Sequence, residues 1–192
     1  ATPQNVLSEK EKADGWKLLF DGKTLNGWRD YNGTSLTGPW FVKKGTIKAK
    51  GGGGDASGYI VTDREYENFI LEWEWKVAKG GNSGVLYHVV ENPKFKVPYV
   101  TGPEYQLIDD IGFPEKLEDW QKTAADYAMH ITDKSKLKIK PAGSWNISRI
   151  VFDNGHVTHW LNGEKVVEFE AWTDDWFKRK NSGKWENAPE YG

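Results

Sequence analysis

Glu104 and Gln106 stand two residues apart in Glu104-Tyr105-Gln106-Leu107-Ile108-Asp109, whose alternation reads as a β-strand. On a strand that spacing puts a carboxylate beside a neutral hydrogen-bonding amide on one face, with Tyr105 and Leu107 on the other. Such a carboxylate is a candidate general base. A rim salt bridge is the competing role, because most carboxylates are solvated surface groups. His159 is the second candidate, since imidazole titrates near neutrality. The turns flanking its strand set Ile150 and Val166 opposite it, so a satisfied buried histidine fits the pattern equally well. Glu72 and Glu74 at alternate positions resemble a paired-acid arrangement, and equally a charged solvated face.

Asp109-Asp110 could offer oxygen to Ca²⁺, yet no loop resembles a dedicated cage. His130 and His156 read as surface residues, and no His spacing supports a metal site. Neither a metal nor another cofactor is expected. Cysteine is absent, which excludes disulfides, thiolate zinc sites and cysteine nucleophiles.

These residues must be positioned by a chain of 192 residues, enough for a single domain with a sizeable core. Residues 1–13 read as a loose extension of that domain. With 26 basic and 28 acidic residues the net charge is −2, so no nucleic-acid or anionic-membrane partner is implied. No apolar run is long enough for a membrane-spanning helix. Ala1–Gln4 lacks a start methionine and a basic n-region, as a processed or trimmed terminus would. The chain carries 11 Trp, 8 Tyr and 8 Phe. Tryptophan packs well between sheets, and its flat apolar face also suits the C–H side of a ring-shaped ligand.

Short alternating runs and turn residues dominate, so the fold class is all-β. Phe69 to Val77 sends Leu71, Trp73, Trp75 and Val77 one way and Glu72, Glu74 and Lys76 the other. Trp40–Val42, Gly45–Ile47 and Val85–Val90 read as further strands, and Gly51–Gly54 as a flexible connection. Asn154-Gly155 and Asn162-Gly163 supply the positive-φ pairs of type I′ turns, predicting a three-stranded meander over 146–170. The one helix expected is a short one from Pro114 to Gln121. Beyond Asp174 the chain reads as polar and irregular, with Lys178–Lys180 a solvated run.

Five segments in order resemble the 3-keto-disaccharide hydrolase family, common in gut Bacteroidetes and soil bacteria. They are Leu19–Trp28, Gly81-Asn82-Ser83-Gly84-Val85, Gly102–Asp109, Trp145-Asn146 and His159-Trp160-Leu161-Asn162-Gly163. The resemblance implies a concanavalin A-like jelly-roll sandwich of two curved antiparallel sheets, with the site on the concave face. It implies an enzyme acting on glycosides whose glucose C3 is a ketone, periplasmic or secreted, with a sugar as its partner. Two departures stand out. His88 occupies a position where the family often has Arg, and related chains usually continue past a stretch like Asn187–Gly192 into a Gln-Asp-His-Gly pattern and a last strand.

The implied substrate defines the chemistry. A 3-keto group acidifies the C2 hydrogen; its removal gives an enolate that expels the C1 leaving group, after which water can add. A base, an oxyanion donor and an acid are needed. By resemblance and strand pattern Glu104 and His159 are the catalytic candidates. Glu74, His88, Gln106, Asp109, Tyr127, Trp160 and Asn162 are the candidate substrate contacts, Asn162 having a turn to make as well. The alternative is a non-catalytic carbohydrate-binding module of the same fold.

Overall fold

The computed structural model describes residues 5–51 and 58–192. Contacts group the chain into two units, Ala1–Glu65 with Glu91–Val97, and Tyr66–Val90 with Pro98–Gly192. In the first, β1 (Trp28–Asp30) pairs with β4 (Ile60–Thr62), and β2 (Trp40–Lys43) with β3 (Thr46–Ala49), all antiparallel. The β2–β3 turn runs through Lys44 and Gly45 at φ 51° and 71°, the primed geometry that suits a hairpin's twist. From Gly52 onward, the Gly51–Gly54 run lies outside the described residues.

The second unit contains the meander. Asn154 and Gly155 at φ 48° and 91°, then Asn162 and Gly163 at 48° and 86°, join β8 (Asn146–Asp153), β9 (His156–Leu161) and β10 (Glu164–Glu170). β5 (Phe69–Trp75) adds to β8, giving the antiparallel order β10-β9-β8-β5. The expected register holds where Phe152 faces Val157 and Ile150 faces His159. It fails one residue later. A bulge between Lys165 and Val167 sets Val167, not Val166, opposite His159, and both valines are buried.

The inner face of this sheet packs Trp75, Ile150, Phe152, Val157 and Leu161 against Tyr87, Tyr105 and Leu107. Those last residues belong to, or directly follow, the antiparallel pair β6 (Asn82–Leu86) and β7 (Glu104–Ile108), so two layers enclose one core. Each buried Leu or Ile contributes about 1.5–3 kcal/mol by leaving water. One polar side chain serves two aromatic neighbours inside: Ser148 Oγ takes the Trp75 indole N–H at 2.8 Å and lies 2.7 Å from the Tyr105 hydroxyl. The tryptophans divide. Trp75, Trp176 and Trp185 are core residues, whereas Trp120, Trp145 and Trp172 stay exposed.

The helix expectation is corrected. Within 114–121 only a single 3₁₀ turn forms, Asp119–Gln121. Among the described residues the α-helices are α1 (Glu9–Ala13) and α2 (Asp174–Asn181). Ser8 and Glu11 close a capping box on α1, inside the stretch read as a loose extension. Thr173 caps α2, two acids open it and three basic residues close it, so Lys178–Lys180 completes a helix that anchors by Trp176.

Asn162 shows what a hairpin residue carries besides its turn. Its Oδ1 accepts from Ile147 N at 2.9 Å, and its Nδ2 donates to Lys138 O and Asn146 Oδ1. Asn162→Ala forfeits these bonds and the favourable left-handed φ. Urea unfolding is expected to show a loss of about 2 kcal/mol, whereas a change within 0.5 kcal/mol, roughly the range of ordinary surface substitutions, would contradict this role.

Candidate active site

β7 is held on both edges. On one side Gly84 faces Gln106 and Leu86 faces Glu104 in β6. On the other, Ala124 N donates to Gln106 O, Gln106 N to Ala125 O, and Tyr127 N to Glu104 O at 3.0 Å. Tyr105 and Leu107 enter the core, so Glu104 and Gln106 point out of the opposite face. The two short motifs of the sequence meet here. A Cβ on Gly84 would overlap Glu104 Oε1, so this glycine is the floor on which the carboxyl lies.

Burial of that carboxyl pushes its pKa from 4.5 up to about 7. The Lys184 ammonium opposes the rise and Asp126 reinforces it. Lys184 Nζ stands 4.5 Å over the centre of the Tyr127 ring and 3.4 Å from its hydroxyl. Trp120 meets Tyr127 edge-on at 5.3 Å and remains exposed. Together they set a desolvated carboxyl, an ammonium, a phenol and an aromatic face around β7. That set can remove a proton from carbon and stabilise the oxyanion that results.

Gln106 and Tyr127 thus gather with Glu104, although the Gln106 amide is buried and donates to Gln121 O at 2.9 Å. His159 lies elsewhere. Its ring is fully buried against Tyr105, on the face of β7 opposite to Glu104's side chain. A carbonyl can only accept, so Nδ1 carries the proton donated to Ala124 O, leaving Nε2 to accept from the Tyr87 hydroxyl. Burial lowers its pKa.

Asp109 collects the backbone N–H groups of Gly80, Ile111 and Gly112, which hold its carboxyl below the usual range and lock a turn. Its neighbour Asp110 accepts from Thr123 N while burial raises its pKa. Glu74 is exposed on the outer face of β5, beside the Glu72–Arg149 ion pair. Trp160, paired with Arg149 on that same outer face, donates its indole N–H to Thr158 Oγ1. Asn162 is committed to its turn. His88, at φ 52°, bonds Glu67 O through Nε2 and packs 4.0 Å from Phe152. Among the described residues no three His, Asp or Glu side chains group as metal ligands would.

Sequence reasoning passed over Lys184 and Asp126 and placed His130 at the surface. His130, expected at the surface, bonds Asp126 through Nδ1 at 2.8 Å and stacks on Phe169, its side chain 11% exposed. The i, i+4 spacing of an acid and a histidine was the available signal. Lys184 gave none, because the tail reaches β7 only through the tertiary fold.

Because the folded state binds Glu104's proton more tightly than the unfolded chain, ionising this group costs stability. The cost is absent below pH 4.5, grows as pH rises toward 7, and is complete above it. Glu104→Gln is therefore expected to be more stable than wild type at pH 8, by on the order of 3 kcal/mol, and equal to it at pH 4. Denaturant unfolding at the two pH values checks this; equal stabilities at pH 8 would refute the burial account.

Comparison with known proteins supplies the lineage. The 3-keto-alpha-glucoside-1,2-lyase-like domain family matches residues 15–191. The 3-keto-disaccharide hydrolase of Bacteroides thetaiotaomicron is 38% identical over 192 residues, an alignment covering 92% of this chain and 66% of that protein. The chain thus spans just under two thirds of that relative's length. A crystal structure of a candidate glycosyl hydrolase from Parabacteroides distasonis superposes at TM-score 0.90 with 48% identity, covering 98% of this chain and 87% of the other. A second from the same species gives 0.55 at 29% identity, covering 76% and 73%. The fold is an antiparallel all-β jelly-roll sandwich, and the chain belongs to the 3-keto-alpha-glucoside-1,2-lyase-like domain family.

Proposed function

We propose that this protein is an enzyme that cleaves 3-keto-glycosides, with Glu104 as the base and Lys184 as the oxyanion partner. The observation that carries the reading is the seat of the Glu104 carboxyl on Gly84, desolvated yet within electrostatic reach of an ammonium. A base is most effective when its pKa lies near working pH, and Glu104's lies at about 7. The names of the relatives, a 3-keto-disaccharide hydrolase and candidate glycosyl hydrolases, support the substrate class.

The electron flow is as follows. The Glu104 carboxylate takes the C2 proton, and the C–H pair becomes the C2–C3 double bond of an enolate whose oxygen faces Lys184 and the Tyr127 hydroxyl. Collapse of the enolate restores the C3 ketone, forms the C1–C2 double bond and breaks the bond from C1 to the leaving oxygen, which departs as the alcohol by taking up the proton from Glu104 and so returns that residue to the carboxylate. Adding water at C1, with a proton at C2, completes hydrolysis; stopping before that step is elimination. Trp120 offers its face to the sugar's C–H side. His159 serves at a distance, fixing Ala124 and hence the segment bonded to β7. Family membership favours a periplasmic or secreted setting, and among the described residues no helix is long and apolar enough to cross a membrane.

Purified protein should release reducing sugar from a 3-keto-disaccharide and leave an unoxidised aryl glucoside intact. The rate should rise with pH through about 7, because only the ionised carboxylate accepts a proton. Glu104→Gln should lower kcat by about 10²–10⁴-fold and Lys184→Met by roughly 10²-fold. Gly84→Ala, which evicts the carboxyl, should lower kcat while the protein stays folded by circular dichroism. Ligand bound and returned unchanged by wild type would favour a binding module instead.

A further inference from the structure

The loop beside β7 contains a device that the mechanism above does not use. Residues 126–130 form a closed turn: Met129 N and His130 N donate to Asp126 O, and Asp126 N donates to His130 O. Side chains repeat the closure, with His130 Nδ1 2.8 Å from Asp126 Oδ2. The His130 ring lies parallel to Phe169, 6° off at 4.1 Å, so it cannot swing away without losing that stack. Asp126 itself is 1% exposed, and its Oδ1 has no hydrogen-bond partner among the described residues. A carboxylate half satisfied in the interior is expensive to keep, and such groups call for a role.

Its placement suggests one. Asp126 bridges to Tyr105, the neighbour of Glu104, and precedes Tyr127, whose N–H is bonded to Glu104 O. We propose that Asp126, clamped by His130, is a positioning residue whose carboxyl behind β7 acts through space on the Glu104 carboxyl and so tunes it as the base. This rests on the reading of Glu104 as the base. In a poorly hydrated interior a like charge acts over several ångströms with little screening, and it disfavours a second carboxylate. The pKa of Glu104 is raised in that sense by Asp126, though burial is the larger cause.

The charged and titratable groups around this pair come from several elements. Glu104 is on β7, His159 on β9, Tyr87 just after β6, and Tyr191 near Gly192; each feels Asp126. Asp175 of α2 acts on the His130 side, where Arg179 also donates to Met129 O. Lys184 is the cation that opposes Asp126 at Glu104. Removing the Asp126 charge takes away the smaller of the two influences that hold the Glu104 proton, burial being the larger, so Glu104 should ionise at lower pH.

Asp126→Asn keeps the shape and can still bond His130, while Asp126→Ser, smaller and also able to accept from Nδ1, guards against a misfolded first variant. The ¹³C resonance of the Glu104 carboxyl should be titrated in wild type and variants, alongside the pH profile of kcat/KM. Both midpoints should move to lower pH in the variants. Loss of stability or rate with Glu104 titrating as in wild type would overturn the proposal and leave Asp126 a merely structural residue. A shifted Glu104 resonance with an unmoved rate profile would instead uphold the Asp126 role and remove Glu104 as the base.

Discussion

The position of the Glu104 carboxyl governs the rest of the site. It lies across β6 at the one place where that strand offers no side chain, and Gly84 is what makes the space. The carboxyl is largely withdrawn from water there. The proton is therefore held more firmly than on an exposed glutamate. A residue with a Cβ at 84 would push the carboxyl outward into solvent, where it would ionise as an ordinary acid. The Asn-Ser-Gly and Glu-Tyr-Gln segments, each weak as a motif, are thus two halves of one contact.

Such a seat is unfavourable for folding at neutral pH, and the surrounding structure offsets it. The core behind β7 is dense with aromatic side chains, and two of its buried hydroxyls are matched, Tyr105 through Ser148 and the Trp160 carbonyl, Tyr87 through His159. His159 is informative here. Neutral, fully enclosed and bonded at both nitrogens, it behaves as a rigid spacer between β9 and the Ala124 segment. That segment in turn fixes the free edge of β7. Catalytic geometry is then set by strands and a packed core, which hold a side chain more precisely than a loop does.

How much of this could be read from the chain depends on the range of the forces involved. The two Asn-Gly turns are local, and their strands and first pairs followed directly. The bulge after Lys165, which leaves two successive valines buried, did not follow, because a turn fixes only the pairs nearest to it. Both helices were legible in principle, through Ser8 with Glu11 and through Thr173, but their brevity hid them among polar residues. At the site, alternation was enough to pair Glu104 with Gln106 and to separate them from Tyr105. Lys184 was invisible, being brought to Tyr127 by tertiary packing of the tail, and His130 was misread although its partner Asp126 stands four residues before it, because that spacing makes a pair only once the chain turns there. Glu74 was placed on the correct face of its strand, yet that face, which Trp160 shares, is the outer one of the four-stranded sheet.

The central claim is that a desolvated carboxyl takes the proton from C2 of a 3-keto sugar. Running the cleavage in deuterium oxide, with an enzyme-free control for spontaneous exchange, tests it most directly. The account predicts that the released 3-keto sugar carries deuterium at C2, or is the C1–C2 unsaturated product. Cleavage that returns a saturated 3-keto sugar with its original C2 hydrogen fully retained would contradict it.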